Sequence, residues 1–254
     1  MPSEEREREP SSEFPIREPW RLLTEAVHRR RLVGIFAIFV VFGLLGTPAH
    51  ELGHYAVAGA FGQSAHLSYG WVIWDGDPAD QALLQRGSAW EREHPERAFP
   101  EAAPLAAARD RGARQDLWIS AGGPLQNALC GSVGLLWLLL LGVEGRRTWR
   151  GWLATLTALF WSREPFVLVV GALGAAGGNP PLQEDELRIA LSLGWPTWSV
   201  LIPAGLVGFA VCVAVIALQP KKRRWHVLGA GPLGCLVGVV IWYAWLGPLL
   251  LPLP

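Results

Sequence analysis

Leu32-Val33-Gly34-Ile35-Phe36-Ala37-Ile38-Phe39-Val40-Val41-Phe42-Gly43-Leu44-Leu45-Gly46 contains no charged side chain and continues, less apolar, through Ala60. A buried strand uses about 4–8 apolar residues, whereas a helix crossing a bilayer core needs roughly 20. Four more stretches reach or approach that length: 117–143, 152–176, 198–218 and 227–250. A soluble fold of 254 residues, 51% of them hydrophobic, has no interior large enough to hide five such segments. The expected fold class is therefore an all-α polytopic membrane protein with about five transmembrane helices. The basic residues before the first stretch suggest a signal peptide, but the polar lead is long and Pro48 spoils a small-x-small cleavage pattern. The segment is expected to be a permanent helix.

The connections alternate in charge. His28 to Arg31, Glu144 to Arg150 and Lys221 to Arg224 are basic, while Asp75 to Asp116 and Gly177 to Thr197 are acidic in balance. Basic loops stay on the cytoplasmic side, so the N-terminus is expected in the cytoplasm. Trp118, Trp149, Trp152, Trp195, Trp198 and Trp225 mark the span ends, where an aromatic belt sits. Lys221 and Lys222 are the only lysines against many arginines, a bias that fits a GC-rich bacterial genome and a bacterial cell membrane.

Five regions follow. Residues 1–31 are expected to be a disordered cytoplasmic N-terminus, with a short amphipathic helix or a simple solvated approach from Trp20 to Arg31. Residues 32–61 form the first transmembrane helix, and 62–116 an extracytoplasmic loop. Residues 117–197 hold two transmembrane helices and an acidic segment, and 198–254 hold two C-terminal helices. Within the loop, His66-Leu67-Ser68-Tyr69-Gly70-Trp71-Val72-Ile73-Trp74 alternates like a strand and ends at the Gly76-Asp77-Pro78 turn. A short membrane-associated strand or hairpin is expected there, followed by solvated helix or coil. Cys130, Cys212 and Cys235 lie in apolar stretches without metal-ligand spacing and are read as packing residues.

His50-Glu51-Leu52-Gly53-His54 continues the first apolar helix. Residues i and i+4 share a helical face, so the two imidazoles can converge on one Zn²⁺, with Glu51 beside it as general base. Ionisable groups inside a membrane helix are costly, and functional by default. A catalytic zinc takes three protein ligands. Glu184, Asp185 and Glu186 lie on the same expected side as the histidines, and Glu164, in Ser162-Arg163-Glu164-Pro165, is a further candidate. That last segment also reads as a buried ion pair with a proline kink. Asn127 can donate to a developing oxyanion, hold substrate, or join two helices by a hydrogen bond. Gly122, Gly123, Gly131 and Gly134 read as close-packing positions.

Three motifs across about residues 33–195 resemble the site-2 protease family of intramembrane zinc metalloproteases. They are His50-Glu51-Leu52-Gly53-His54, Ala121-Gly122-Gly123-Pro124-Leu125-Gln126-Asn127, and Asn179-Pro180-Pro181 followed by Asp185. The resemblance implies that His50, His54 and Asp185 bind Zn²⁺, that Glu51 is the catalytic base, and that Asn127 lines the site and positions substrate. It departs from the family at Glu184-Asp185-Glu186, where Leu-Asp-Gly is usual. With no PDZ-type or CBS-type segment in view, this would be a minimal member.

The implied partners are a membrane-anchored protein substrate and the lipid bilayer. No basic, aromatic-interleaved patch points to nucleic acid, and nothing in the sequence fixes the oligomeric state. Two other functions use the same residues: a metal-ion binding or transport membrane protein, and a non-proteolytic protein that holds membrane clients. Glu51 separates the first of these from an enzyme, because a carrier has no need of a proton acceptor beside its ligands.

Overall fold

The computed structural model describes residues 29–178 and 184–252. The N-terminal tail and the Asn179-Pro180-Pro181 motif lie outside the described residues. The chain is an all-α polytopic membrane protein with a small antiparallel sheet. Helix α1 (Arg29–Ala60) carries the first apolar run and the H-E-x-x-H motif without a break. Strands β1 (Ser64–Leu67) and β2 (Val72–Asp75) follow, then α2 (Pro78–Glu93), α3 (Ala102–Leu140) and α4 (Gly142–Arg146). The third span consists of α5 (Trp149–Ala158), a 3₁₀ turn (Leu159–Ser162) and α6 (Arg163–Ala176). A short α7 (Asp185–Ser192) precedes α8 (Leu201–Leu218) and α9 (Lys221–Ile241). The last span ends in a π-helical turn (Trp242–Leu246) and α10 (Gly247–Leu250). Five of these segments are long and apolar enough to cross a membrane: 32–60, 102–140, 149–176, 201–218 and 221–250.

Side-chain placement supports the membrane reading. Large apolar residues such as Leu129, Leu136, Leu140, Phe166, Leu173 and Phe209 are exposed, whereas Ala154, Ala158, Gly134 and Thr155 are buried. In lipid, helices gain little from hiding leucine from its own kind, so small residues and close backbone packing hold the bundle. A Cβ on Gly134 would run into the backbone of Thr157 and Ala158, and one on Gly238 into that of Val40 and Leu44. Helix α1 therefore lies between α9 and α3, and α3 packs on α5.

The strand differs from its sequence expectation. The alternation over 66–74 suggests one continuous strand, but the chain reverses between Leu67 and Val72, which pair with each other. The connecting backbone is held elsewhere: Tyr69 N–H donates to Leu251 O (3.1 Å), and the Trp242 indole donates to Tyr69 O (2.6 Å). Those two groups cannot also serve a ladder. The Asp77-Pro78 signal starts a helix as well as ending a strand, because the Asp77 carboxylate accepts from Ala79 N–H (2.8 Å) at the first turn of α2.

Span two is also longer than its apolar run. At about 1.5 Å per residue, the 39 residues of α3 far exceed a bilayer core of about 30 Å, so its N-terminal part projects beyond it. Leu83 of α2 packs there on Leu105 and Ala108, and Arg109–Glu91 and Arg111–Asp80 pairs (2.8 and 2.6 Å) lace the surface. At the opposite end, the Arg223 guanidinium caps the carbonyls of Arg146 and Arg147, joining two of the basic connections.

The close approach of α3 and α5 has a measurable consequence. Gly134→Val should cost roughly 1–3 kcal/mol in unfolding from detergent micelles, the usual range for overpacking. Gly34→Val, where a Cβ has nothing within 4 Å, should leave the transition unchanged. Equal stability of the two variants would refute the packing.

Candidate metal centre

Among the described residues, His50, Glu51 and His54 form one buried group able to hold a metal ion, their ligand atoms all within 4.8 Å of one another. The helical repeat stacks the two imidazoles on one face of α1, with ring planes at 86° and Nε2 atoms 3.2 Å apart. What lets that face meet α3 is the absence of side chains. A Cβ on Gly53 would strike the carbonyl of Gly122, one on Gly122 would strike that of Gly53, and one on Gly123 would overlap both imidazoles. The Gly-Gly pair before Pro124 thus makes the space that the histidines occupy.

The third corner comes from α7. Asp185 Oδ2 lies 2.9 Å from His50 Nε2 and 3.3 Å from His54 Nε2. With the 3.2 Å between the imidazoles, three donor atoms from two remote helices, α1 and α7, make a nearly equilateral triangle. A tetrahedral ion with bonds of about 2.0–2.1 Å places its ligand atoms about 3.3 Å apart, so the triangle fits one metal ion with a fourth position open. Glu184 and Glu186 do not share this geometry. Glu186 turns to Arg163 (2.7 Å), Glu184 stands 4.0 Å from the same guanidinium, and Glu164 stands 3.5 Å from it.

His54 is held in the state that ligation requires. His54 Nδ1–H donates to Ile119 O (2.5 Å), which leaves the Nε2 lone pair for a metal. Gly123 N–H lies 3.3 Å from the same Nδ1, but the shorter contact fixes that nitrogen as the protonated one. Asn127 is buried with its amide nitrogen 3.1 Å from His50 Nδ1; an amide nitrogen only donates, so His50 takes the equivalent tautomer once the amide is turned to present Oδ1. Asn127, expected from the sequence to position substrate, is thus engaged with a proposed ligand. Burial alone would push the Asp185 carboxyl up, but the neighbouring His50 and His54 and the charge of Arg163 hold it well below the usual range. At Glu184 burial prevails, and its carboxyl is raised.

Sequence reasoning missed two participants. The Ile119 carbonyl carries no side-chain signal. Arg163 was visible as an intramembrane charge, but its partners sit 22 and 23 positions away on α7. No protein-family model, curated protein or solved structure matches the chain.

The triangle makes Gly123 a sensitive position. Gly123→Ala should weaken metal binding by at least 10-fold, within the range seen when a ligand's support is disturbed. Gly59→Ala, also on a helix but with open space around it, should bind as wild type. Chelator-competition titration of the purified proteins reads both, and unaltered binding by Gly123→Ala would contradict the close contact.

Proposed function

We propose that this chain is an intramembrane zinc metalloprotease of the site-2 protease type, hydrolysing peptide bonds of membrane-anchored proteins. The observation that carries the reading is the triangle of His50, His54 and Asp185 with the buried Glu51 carboxylate beside it, at the membrane-embedded end of a helix. Two imidazoles, one carboxylate and an open fourth position are the donor set of catalytic rather than structural zinc. A zinc ion held there supplies Lewis acidity to a scissile carbonyl and makes water a competent nucleophile near neutral pH.

The chain's own residues do the rest. Glu51 accepts the proton that water releases as it attacks the carbonyl carbon, and returns it to the leaving amine nitrogen. Ile119 O holds His54 in its ligating tautomer, and the Asn127 amide orients the His50 ring. The β1–β2 hairpin packs against α1 beside the motif, and its edges offer backbone groups to an unwound substrate segment. A substrate strand so paired is not left with bare amides in lipid. The charge alternation of the connections supports a cytoplasmic N-terminus and a site opening to the other face, and the scarcity of lysine against arginine supports residence in a bacterial cell membrane.

Glu51 separates chemistry from binding. Glu51→Gln keeps size and a hydrogen-bonding oxygen but cannot take a proton. It should retain zinc and fold normally, yet cleave a membrane-anchored test substrate roughly 10²–10⁴ times more slowly. Wild-type cleavage by zinc-loaded Glu51→Gln would falsify the catalytic assignment. Orientation has its own test, in a background with Cys130, Cys212 and Cys235 replaced. Glu96→Cys should react with an impermeant thiol reagent in intact cells and Arg147→Cys should not; the reverse pattern would overturn the orientation alone.

A further inference from the structure

The Ser162-Arg163-Glu164-Pro165 segment stands in the middle of a membrane span, where an arginine is expensive unless it is put to use. The fold shows how it is presented. The third span breaks at the 3₁₀ turn Leu159–Ser162, and Pro165 falls in the first turn of α6, where a missing N–H costs nothing. The break aims the Arg163 side chain at the start of α7. One arm, Nη1, donates to Glu186 Oε1 at 2.7 Å, and the other, Nη2, donates to Asp185 Oδ2 at 3.1 Å.

This fork clasps two consecutive residues of α7. Glu184, at the N-terminal boundary of α7, makes no side-chain cap. Among the described residues, Arg163 is the one polar partner of Asp185 apart from the two histidines. Without it, the direction of the Asp185 carboxylate would rest on the histidines alone. Arg163 is also the cation shared by four carboxylates, Glu164, Glu184, Asp185 and Glu186, at 3.5, 4.0, 3.1 and 2.7 Å. Glu164 and Glu186 are almost fully buried, and both Glu164 oxygens and Glu186 Oε2 lack a hydrogen-bond partner among the described residues. One guanidinium does not balance four ionised carboxylates, and a divalent ion on Asp185 would add positive charge to the cluster.

We infer that Arg163 is a positioning residue for the metal centre: its fork holds Asp185 so that a single oxygen meets both histidines, and couples the break in the third span to the third ligand. The inference rests on the metal-site reading above. It assigns Arg163 no contact with substrate and no proton transfer. The fork matters as well as the charge, because a lysine ammonium is a point donor and does not reproduce two fixed N–H directions.

The test uses the full chain in detergent, stripped of metal and titrated with Zn²⁺ against a chromogenic chelator. Arg163→Gln should lose roughly 10- to 100-fold in zinc affinity, the usual cost of removing a group that orients a ligand. Arg163→Lys should recover only part of that loss. The Co²⁺-loaded visible spectrum of each variant should differ from wild type, which a purely structural role would not produce. Loss of the shared cation should also lower the unfolding transition of the metal-stripped Arg163→Gln protein, so affinities and spectra are compared where each variant is folded. If Arg163→Gln does not fold, Arg163→Lys alone decides, with about 10-fold weaker binding and an altered Co²⁺ spectrum expected. Wild-type affinity and an unchanged spectrum in the folded variant would overturn the inference while leaving the metal site intact. Failure of the wild-type chain to bind zinc would instead remove the metal-site reading, and this inference with it.

Discussion

The backbones of α1 and α3 touch at Gly53, Gly122 and Gly123, and that contact sets the remaining distances of the site. Side chains at any of the three would force the helices apart. His54 would then lose the Ile119 carbonyl, His50 would lose Asn127, and neither imidazole would be fixed in orientation. In water, a bundle could offset such a loss with apolar burial. In lipid it cannot, since packing of small residues is itself much of what holds the helices. The same glycines therefore serve fold and site together.

Charge imposes the second constraint. Glu51, Glu164, Glu186 and Arg163 all lie in or beside membrane-spanning segments, and isolated charges there are strongly disfavoured. The structure gathers them into a single connected patch, with Arg163 joining the carboxylates at one end and the histidine pair at the other. Asp185 belongs to both, through His50 at 2.9 Å and Arg163 at 3.1 Å. Removing either neighbour leaves a partly buried carboxylate short of partners, which is why the proposed metal centre and the ion-pair network are best regarded as one unit.

Much of this was legible in the sequence. Five apolar runs gave the fold class because hydrophobic length is a direct physical requirement of a bilayer. His50, Glu51 and His54 were legible because a four-residue spacing is a helical face. Other features depend on residues far apart in the chain. The 66–74 alternation could not reveal that Tyr69 binds Leu251 and Trp242, so the reversal there was hidden. The polar N-terminal part of α3 carries no membrane signal, yet packing on α2 keeps it helical. Among Glu184, Asp185 and Glu186, composition cannot choose. Their directions around the start of α7 do, and send Asp185 to the histidines and Glu186 to Arg163. The two groups that fix imidazole orientation were unequal in visibility: Asn127 stood out as a polar residue in an apolar run, while the Ile119 carbonyl had no sequence signature at all.

The central claim is that three side-chain atoms, from His50, His54 and Asp185, hold one zinc ion with one position left open. X-ray absorption at the zinc edge of the purified wild-type chain measures this most directly. The account predicts one zinc per chain, two imidazoles and light-atom ligands at about 2.0–2.1 Å, with no sulfur shell. A zinc-free protein, or a zinc bound through sulfur at about 2.3 Å, would contradict it.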